Sequence, residues 1–338
     1  MRTFDYARPE SLVDAVALLD GRETEDGQHA AVLAGGTDLL TLMKSDLTAP
    51  ERLVDIKRLA DLDNRIEEHD GALSIGALTT LAQLEEDPRV KSLRPALAEA
   101  AALAATPQLR HMATIGGNLL QRPRCWYFRN PRAHCWLKGG DTCLAREGEN
   151  QRHALFDVSP CVAVHPSDPA TALLALDASV RLRGASGERD VPLAEFFAPP
   201  TDERRSETVI GGDELIVSVQ VPALAPGTRG TYVKAMDRKI WAFALVGVAA
   251  IMRVEERIIV EARIALGGVA PVPWRAESAE RLLTGAEASA QIVARAADAA
   301  LEGAQSLSHN GYKIPLAKAL VRDALGALVE PPDALSDG

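Results

Sequence analysis

Aromatic side chains are scarce in this chain: Phe, Trp and Tyr make up 4% of its 338 residues, although 47% are apolar. The core must therefore be built from Ala, Val, Leu and Ile, as in mixed helix and sheet proteins. No apolar run approaches the roughly 18 residues of a membrane span, and residues 1–6 (MRTFDY) lack the apolar stretch of a signal peptide. Read alone, the chain is expected to be cytoplasmic, or periplasmic if a partner subunit with a twin-arginine signal exports it folded. Basic excess is also missing. A formal charge of −10 argues against a nucleic-acid surface, which would need clustered Lys and Arg on an otherwise basic domain. The G-x-G-x-x-G fingerprint is absent, so a Rossmann route to NAD is unsupported, and no nucleophile or zinc-hydrolase motif appears. No catalytic side chain is named.

The length suits two domains of about 150 residues each. Ser11 before the apolar-periodic segment 12–19 predicts an N-capped helix, and a polar stretch at 20–29 is expected to loop. Residues 30–34 (AAVLA) predict a strand, Gly35 and Gly36 break it, and Thr37-Asp38 is placed to cap a helix through Met43. Strands are expected at 53–56, 73–75, 172–182 and 214–221, and a helix in the Ala-rich segment 92–105. After a linker at 222–230 (PALAPGTRG), strands at 232–236, 242–252 and 258–266 precede Ala-rich helices around 277–303 and 314–328. The expected domains are 1–222 and 230–330, with a non-periodic loop at about 121–161 inside the first.

Cysteine is rare but concentrated. Cys125, Cys135, Cys143 and Cys161 are the only four, and all lie in that loop. Four thiolates can complete a tetrahedral zinc site or an iron–sulfur cluster, and the spacing matches neither a zinc ribbon nor a ferredoxin run. Arg122, Arg124, Arg129, Arg132 and Lys138 crowd the same loop and are expected to lower thiol pKa values. Two disulfides are the alternative, less expected in an intracellular-looking chain. His134, His153 and His165 lie nearby but are expected to be solvated or core histidines.

Two diglycine segments stand out. Ala34-Gly35-Gly36-Thr37-Asp38 precedes a helix, where backbone N–H groups can cradle a pyrophosphate. Thr114-Ile115-Gly116-Gly117-Asn118 repeats the idea with side chains suited to a phosphate or ribityl hydroxyl. Each pair alone is compatible with a simple tight turn.

Together, AGGTDLL at 34–40, ATIGGNLLQRPRCWYF at 113–128, SDPATALLALDA at 167–178 and IALGGVAPVPWRA at 264–276 resemble the FAD-binding subunits of the xanthine dehydrogenase and carbon monoxide dehydrogenase family. The cysteine loop narrows the resemblance to the flavin subunit of bacterial periplasmic aldehyde oxidoreductases. That resemblance implies an α+β fold: a two-subdomain, PCMH-like FAD-binding domain, then a C-terminal domain with an antiparallel sheet and a helical bundle, with FAD between them. It places Val32, Leu33, Ala34, Gly35, Gly36, Thr37, Asp38 and Leu39 around the pyrophosphate, with Thr114, Gly117 and Asn118 from the second loop. Asp168, Ile216 and Lys234 would lie near FAD, and Trp241 near the flavin ring. The four cysteines would ligate a [4Fe–4S] cluster. The implied role is electron transfer: substrate is hydroxylated on a molybdenum-cofactor large subunit, electrons cross a [2Fe–2S] small subunit, and the flavin discharges to an external acceptor. A stand-alone flavin oxidase and a zinc-stapled interaction protein are the rival readings.

Overall fold

Three short parallel strands open the chain, β1 (Asp5–Ala7), β2 (Ala30–Leu33) and β3 (Arg52–Asp55), in the order β1-β3-β2. The computed structural model describes residues 1–19, 30–239 and 241–329, so the stretch expected to loop at 20–29 lies outside the described residues. Ser11 caps the helix Leu12–Leu18 by accepting from the Asp14 N–H at 3.1 Å. The chain then builds a five-stranded antiparallel sheet from β4 (Ile66–His69), β5 (Ala72–Gly76), β6 (Ser179–Gly184), β7 (Gly187–Pro192) and β8 (Leu215–Val221), ordered β4-β5-β8-β6-β7.

A third sheet, β12-β11-β10-β9, is antiparallel and comes from the last third of the chain: β9 (Arg229–Ala235), β10 (Val246–Glu255), β11 (Ile258–Gly267) and β12 (Trp274–Arg275). It is covered on both faces. Ala249, Ile251 and Ala265 join the main core with the helices Pro95–Ala102 and Asp168–Ala175. The alternate residues Val246, Val248, Ala250, Met252, Ile264 and Leu266 face the helices Ala290–Ala299 and Lys313–Val329. Burial on both sides explains why β10 reads as an unbroken apolar run rather than an alternation. The fold is therefore α+β, as expected. No helix among the described residues is long and apolar enough to cross a membrane.

Several elements differ from expectation. The strand expected at 172–182 is half helix: Asp168–Ala175 is helical and β6 begins only at Ser179. Ser167 is the N-cap and Pro169 lies in the first turn, a helix-start signature that the apolar content of the segment obscures. All eight residues of that helix are buried, so no amphipathic period marks it. The Ala-rich segment 92–105 is cut by Pro95, which starts the helix Pro95–Ala102 after the separate helix Pro88–Leu93. Gly116-Gly117 lies inside the helix Ile115–Leu119, not in a turn.

Ser167 also holds two parts of the chain together. Its Oγ accepts from the Ala170 N–H at 3.0 Å and donates to Asn118 Oδ1 at 2.5 Å. Ser167→Ala should therefore cost about 1–2 kcal/mol, in the upper range for loss of a helix cap. The readout is the urea midpoint, and an unchanged midpoint would contradict the assigned role.

Candidate cofactor site

The first diglycine segment leaves β2 and is held by close contact. A Cβ on Gly35 would overlap the Met112 carbonyl oxygen, and Gly36 takes a left-handed φ of +71°. Both demand glycine. Among the described residues, the backbone N–H groups of Gly35, Gly36, Thr37 and Asp38 donate to no protein acceptor. Four consecutive free donors before the helix Leu39–Lys44 form a cradle that suits an anionic ligand. Leu33 is buried in a small core with Met43 and Leu53, Leu39 packs against it, and Val32 packs on the main core. These side chains fix the loop from behind.

Asp38 does not cap its helix with its side chain. Its carboxylate instead accepts from the Arg122 backbone N–H at 2.9 Å, Arg124 Nη1 at 2.5 Å and Arg129 Nη2 at 2.9 Å. Burial raises its pKa above the ordinary carboxylate range, against the pull of Arg129 and Arg122. The Arg124 and Arg129 side chains are thus committed to Asp38 rather than to the thiols, and although Lys138 pulls Cys135 down, burial outweighs it, which corrects the expectation of a general thiol activation. Burial pushes Cys125 up to about 11 and raises Cys135. Cys143 is the exception, lowered to about 6 by a contact with Cys161.

The second segment is more self-contained. Ile115 N–H donates to Thr79 O at 2.8 Å, Gly116 N–H to Ala77 O at 3.0 Å, and Gly117 N–H to the Thr114 hydroxyl at 3.3 Å. Its N–H groups therefore do not form the anion nest expected of them; what remains for a ligand is the Asn118 side chain and the helix surface. Asp168 is buried in a polar knot: Tyr232 donates to it at 2.6 Å and Lys234 pairs with it at 2.7 Å. The Lys234 ammonium also reaches the Leu103 carbonyl at 2.9 Å. Burial raises the pKa of Asp168, which Lys234 opposes. Ile216 is a core residue of β8 paired with Leu182.

A pocket lies beside these groups, lined among others by Arg124, Cys125, His153, Asp168, Phe243 and Gly268. Of the expected residues, Asp168 and Cys125 line it, Asn118 adjoins it through Ser167, and Asp38 adjoins it through Arg124. Ile216 and Lys234 do not line it. Trp241 is exposed, at a positive φ of 55°, with Arg238 stacked 5.1 Å from its ring. Phe243, under the Arg124 guanidinium at 4.9 Å, lines the pocket in its place and was not singled out from sequence. Gly267 and Gly268 lay in the motif at 264–276, which could have pointed to them.

The four cysteines are free thiols that share one apolar cluster with Leu42, Phe128, Trp136 and Leu137. The Ala163 N–H donates to Cys161 Sγ at 3.4 Å, and nearby backbone N–H groups oppose the burial-driven rise at Cys125 and Cys135 and help to lower Cys143. Such donors suit electron-rich thiolates. Among the described residues no group of three or more His, Cys, Asp or Glu is gathered to hold a metal ion. His134 is exposed, and His165 is a buried core histidine whose ring accepts from the Ser167 N–H at 3.4 Å. His153 differs: it is 2% exposed and its Nε2 lies 3.1 Å from Cys125 Sγ. Burial, then Lys313, lowers its pKa to about 4, so the ring is neutral at pH 7.

Lys313 is fully buried and donates to the His153 carbonyl at 2.9 Å and to the Gly268 carbonyl. No carboxylate pairs with it among the described residues, and burial lowers its pKa to about 7. Between about 7 and the ordinary lysine value of 10.5 the unfolded chain holds more protons, so this group adds stability as pH rises through that window. The cofactor-free wild type should gain on Lys313→Met by on the order of 1 kcal/mol per pH unit there. Urea midpoints at neutral and alkaline pH test this, and a pH-independent difference would contradict it.

Comparison with known proteins places this geometry. Residues 2–224 match the FAD binding domain in molybdopterin dehydrogenase, and residues 231–328 match the CO dehydrogenase flavoprotein C-terminal domain. The chain is 39% identical to the aldehyde oxidoreductase FAD-binding subunit PaoB of Escherichia coli, over 96% of this chain and 98% of that one. It is 34% identical to the carbon monoxide dehydrogenase medium chain of Hydrogenophaga pseudoflava, over 96% of each. A solved carbon monoxide dehydrogenase from Hydrogenophaga pseudoflava, lacking the Mo-pyranopterin moiety, superposes with a TM-score of 0.76 at 32% identity, over 97% of both chains.

Proposed function

Because the chain belongs to the FAD-binding subunits of the xanthine dehydrogenase and carbon monoxide dehydrogenase family, we propose that it is an electron-transfer subunit carrying both FAD and a [4Fe–4S] cluster. At the coarser level it is an oxidoreductase subunit of the aldehyde oxidoreductase, carbon monoxide dehydrogenase and xanthine dehydrogenase type. The observation that carries the finer reading is continuity: one carboxylate, Asp38, ties the diglycine cradle to the arginines beside Cys125, and Cys125 lines the pocket.

In this reading Gly35 to Asp38 hold the FAD pyrophosphate through their free N–H groups, with Asn118 and Asp168 near the rest of the cofactor. Bound FAD supplies electron exchange both singly and in pairs. The chain's own residues bind and shield: Phe243, Gly267 and Gly268 wall the pocket, and Arg124 bridges cradle and pocket. Cys125, Cys135, Cys143 and Cys161 ligate the cluster, supported by their shared apolar setting and by the Ala163 N–H on Cys161. Residues 1–222 form the FAD-binding domain and 230–330 the C-terminal domain. The partners are a molybdenum-cofactor large subunit and a [2Fe–2S] small subunit, with an external acceptor taking the electrons.

The anaerobically purified complex should show flavin absorption over a broad iron–sulfur band. Cys135→Ser and Cys143→Ser should each lose iron and acid-labile sulfide from this subunit while keeping the flavin bands. Unchanged iron would refute the ligand assignment, and one zinc per chain would favour the zinc-stapled reading. A flavin reduced by simple aldehydes without the partner subunits would favour a stand-alone oxidase.

A further inference from the structure

His153 is held more tightly than any role in the apolar core requires. Its N–H donates to the Asn150 carbonyl at 3.0 Å. Its own carbonyl accepts from Asn310 Nδ2 at 3.2 Å and Lys313 Nζ at 2.9 Å. The ring stands edge-on to Trp126, with centroids 5.1 Å apart. Two polar side chains from the far end of the sequence thus fix one backbone position in the cysteine loop. The result is an imidazole nitrogen set against Cys125 Sγ at 3.1 Å, in the wall of the pocket.

The two ring nitrogens are in unlike positions. Nδ1 is buried with no partner among the described residues, whereas Nε2 faces the sulfur. A neutral imidazole carries one N–H. On Nδ1 that proton would be buried without an acceptor, and the Nε2 lone pair would face an electron-rich sulfur. On Nε2 it makes a hydrogen bond to the sulfur, which is anionic once it ligates metal, and leaves only a lone pair unmatched. Missing one acceptor contact costs less than orphaning a buried donor while opposing two lone pairs.

We propose that His153 is a positioning residue that donates an Nε2–H hydrogen bond to the Cys125 thiolate and raises the reduction potential of the metal cluster that thiolate holds. The inference rests on the cluster reading above. Hydrogen bonds to ligating sulfur stabilise the more electron-rich reduced state and are among the factors that set iron–sulfur potentials. Because His153 and Cys125 line the same pocket as Asp168 and Gly268, the bond sits on the side of the cysteine loop nearest the proposed flavin.

The test uses the intact complex in three forms: wild type, His153→Phe, which keeps an aromatic ring without an N–H, and His153→Gln, whose amide can donate. Resonance Raman spectra in H2O and D2O report the Fe–S stretching bands, and an EPR-monitored titration gives the cluster potential. The expected result is a smaller deuterium shift and a lower potential in H153F, with H153Q between it and wild type. Wild-type values for both in H153F overturn the proposal. Should H153F fail to hold iron, H153Q decides: a retained deuterium shift supports the hydrogen bond, and its loss with an unchanged potential overturns it. Iron lost from both variants but kept in Cys125→Ser would make His153 the ligand, which also overturns it. A wild-type complex without iron in this subunit removes the cluster reading and this inference with it.

Discussion

The half-buried carboxylate of Asp38 is the contact on which the site depends. It lies at the end of the diglycine segment, where the chain leaves a parallel strand, yet its partners are three arginine positions in the cysteine loop. Removing one partner from this half-buried set leaves the remaining charges partly desolvated with fewer hydrogen bonds. The geometry follows from this commitment. With Asp38 drawing Arg122, Arg124 and Arg129 together, Cys125 is brought to the pocket wall and Arg124 lies over Phe243. Arg124 thereby links the end of the cradle to the pocket wall that the first sulfur of the loop lines.

A second clamp closes the loop from the other side. Asn310 and Lys313, at the start of the last helix, grip the His153 carbonyl, while Phe156 stacks on Trp274 at 4.1 Å. Lys313, buried with no counter-ion among the described residues, is costly in the bare chain. Its ammonium reaches the carbonyls of His153 and Gly268, two residues of the pocket wall, so an anion bound in that pocket would offset part of the cost.

Much of this was legible in the sequence, for identifiable reasons. Strands that alternate or run apolar, Ser11 as a cap, and glycine pairs where a Cβ cannot fit all report on local backbone demands, and local demands leave local signals. The helix Asp168–Ala175 was misjudged because burial on every side erases the period that distinguishes helix from strand. Asp38 was expected to cap a helix, since nothing local reveals that its partners lie more than eighty positions away. The arginines were expected to serve the thiols for the same reason. His153 looked like one histidine among three near the cysteines; only the fold shows that His165 is satisfied in the core, His134 is exposed, and His153 meets a sulfur. Phe243 and Trp241 are two residues apart, and which one faces the pocket is a tertiary fact.

The central claim is that one chain holds two redox groups side by side. Native mass spectrometry of this subunit, released from the anaerobically purified complex, tests it most directly. The account predicts a mass equal to the polypeptide plus one FAD and one Fe4S4 unit. A mass corresponding to FAD with a single zinc, or to FAD alone with four unmodified thiols, would contradict it.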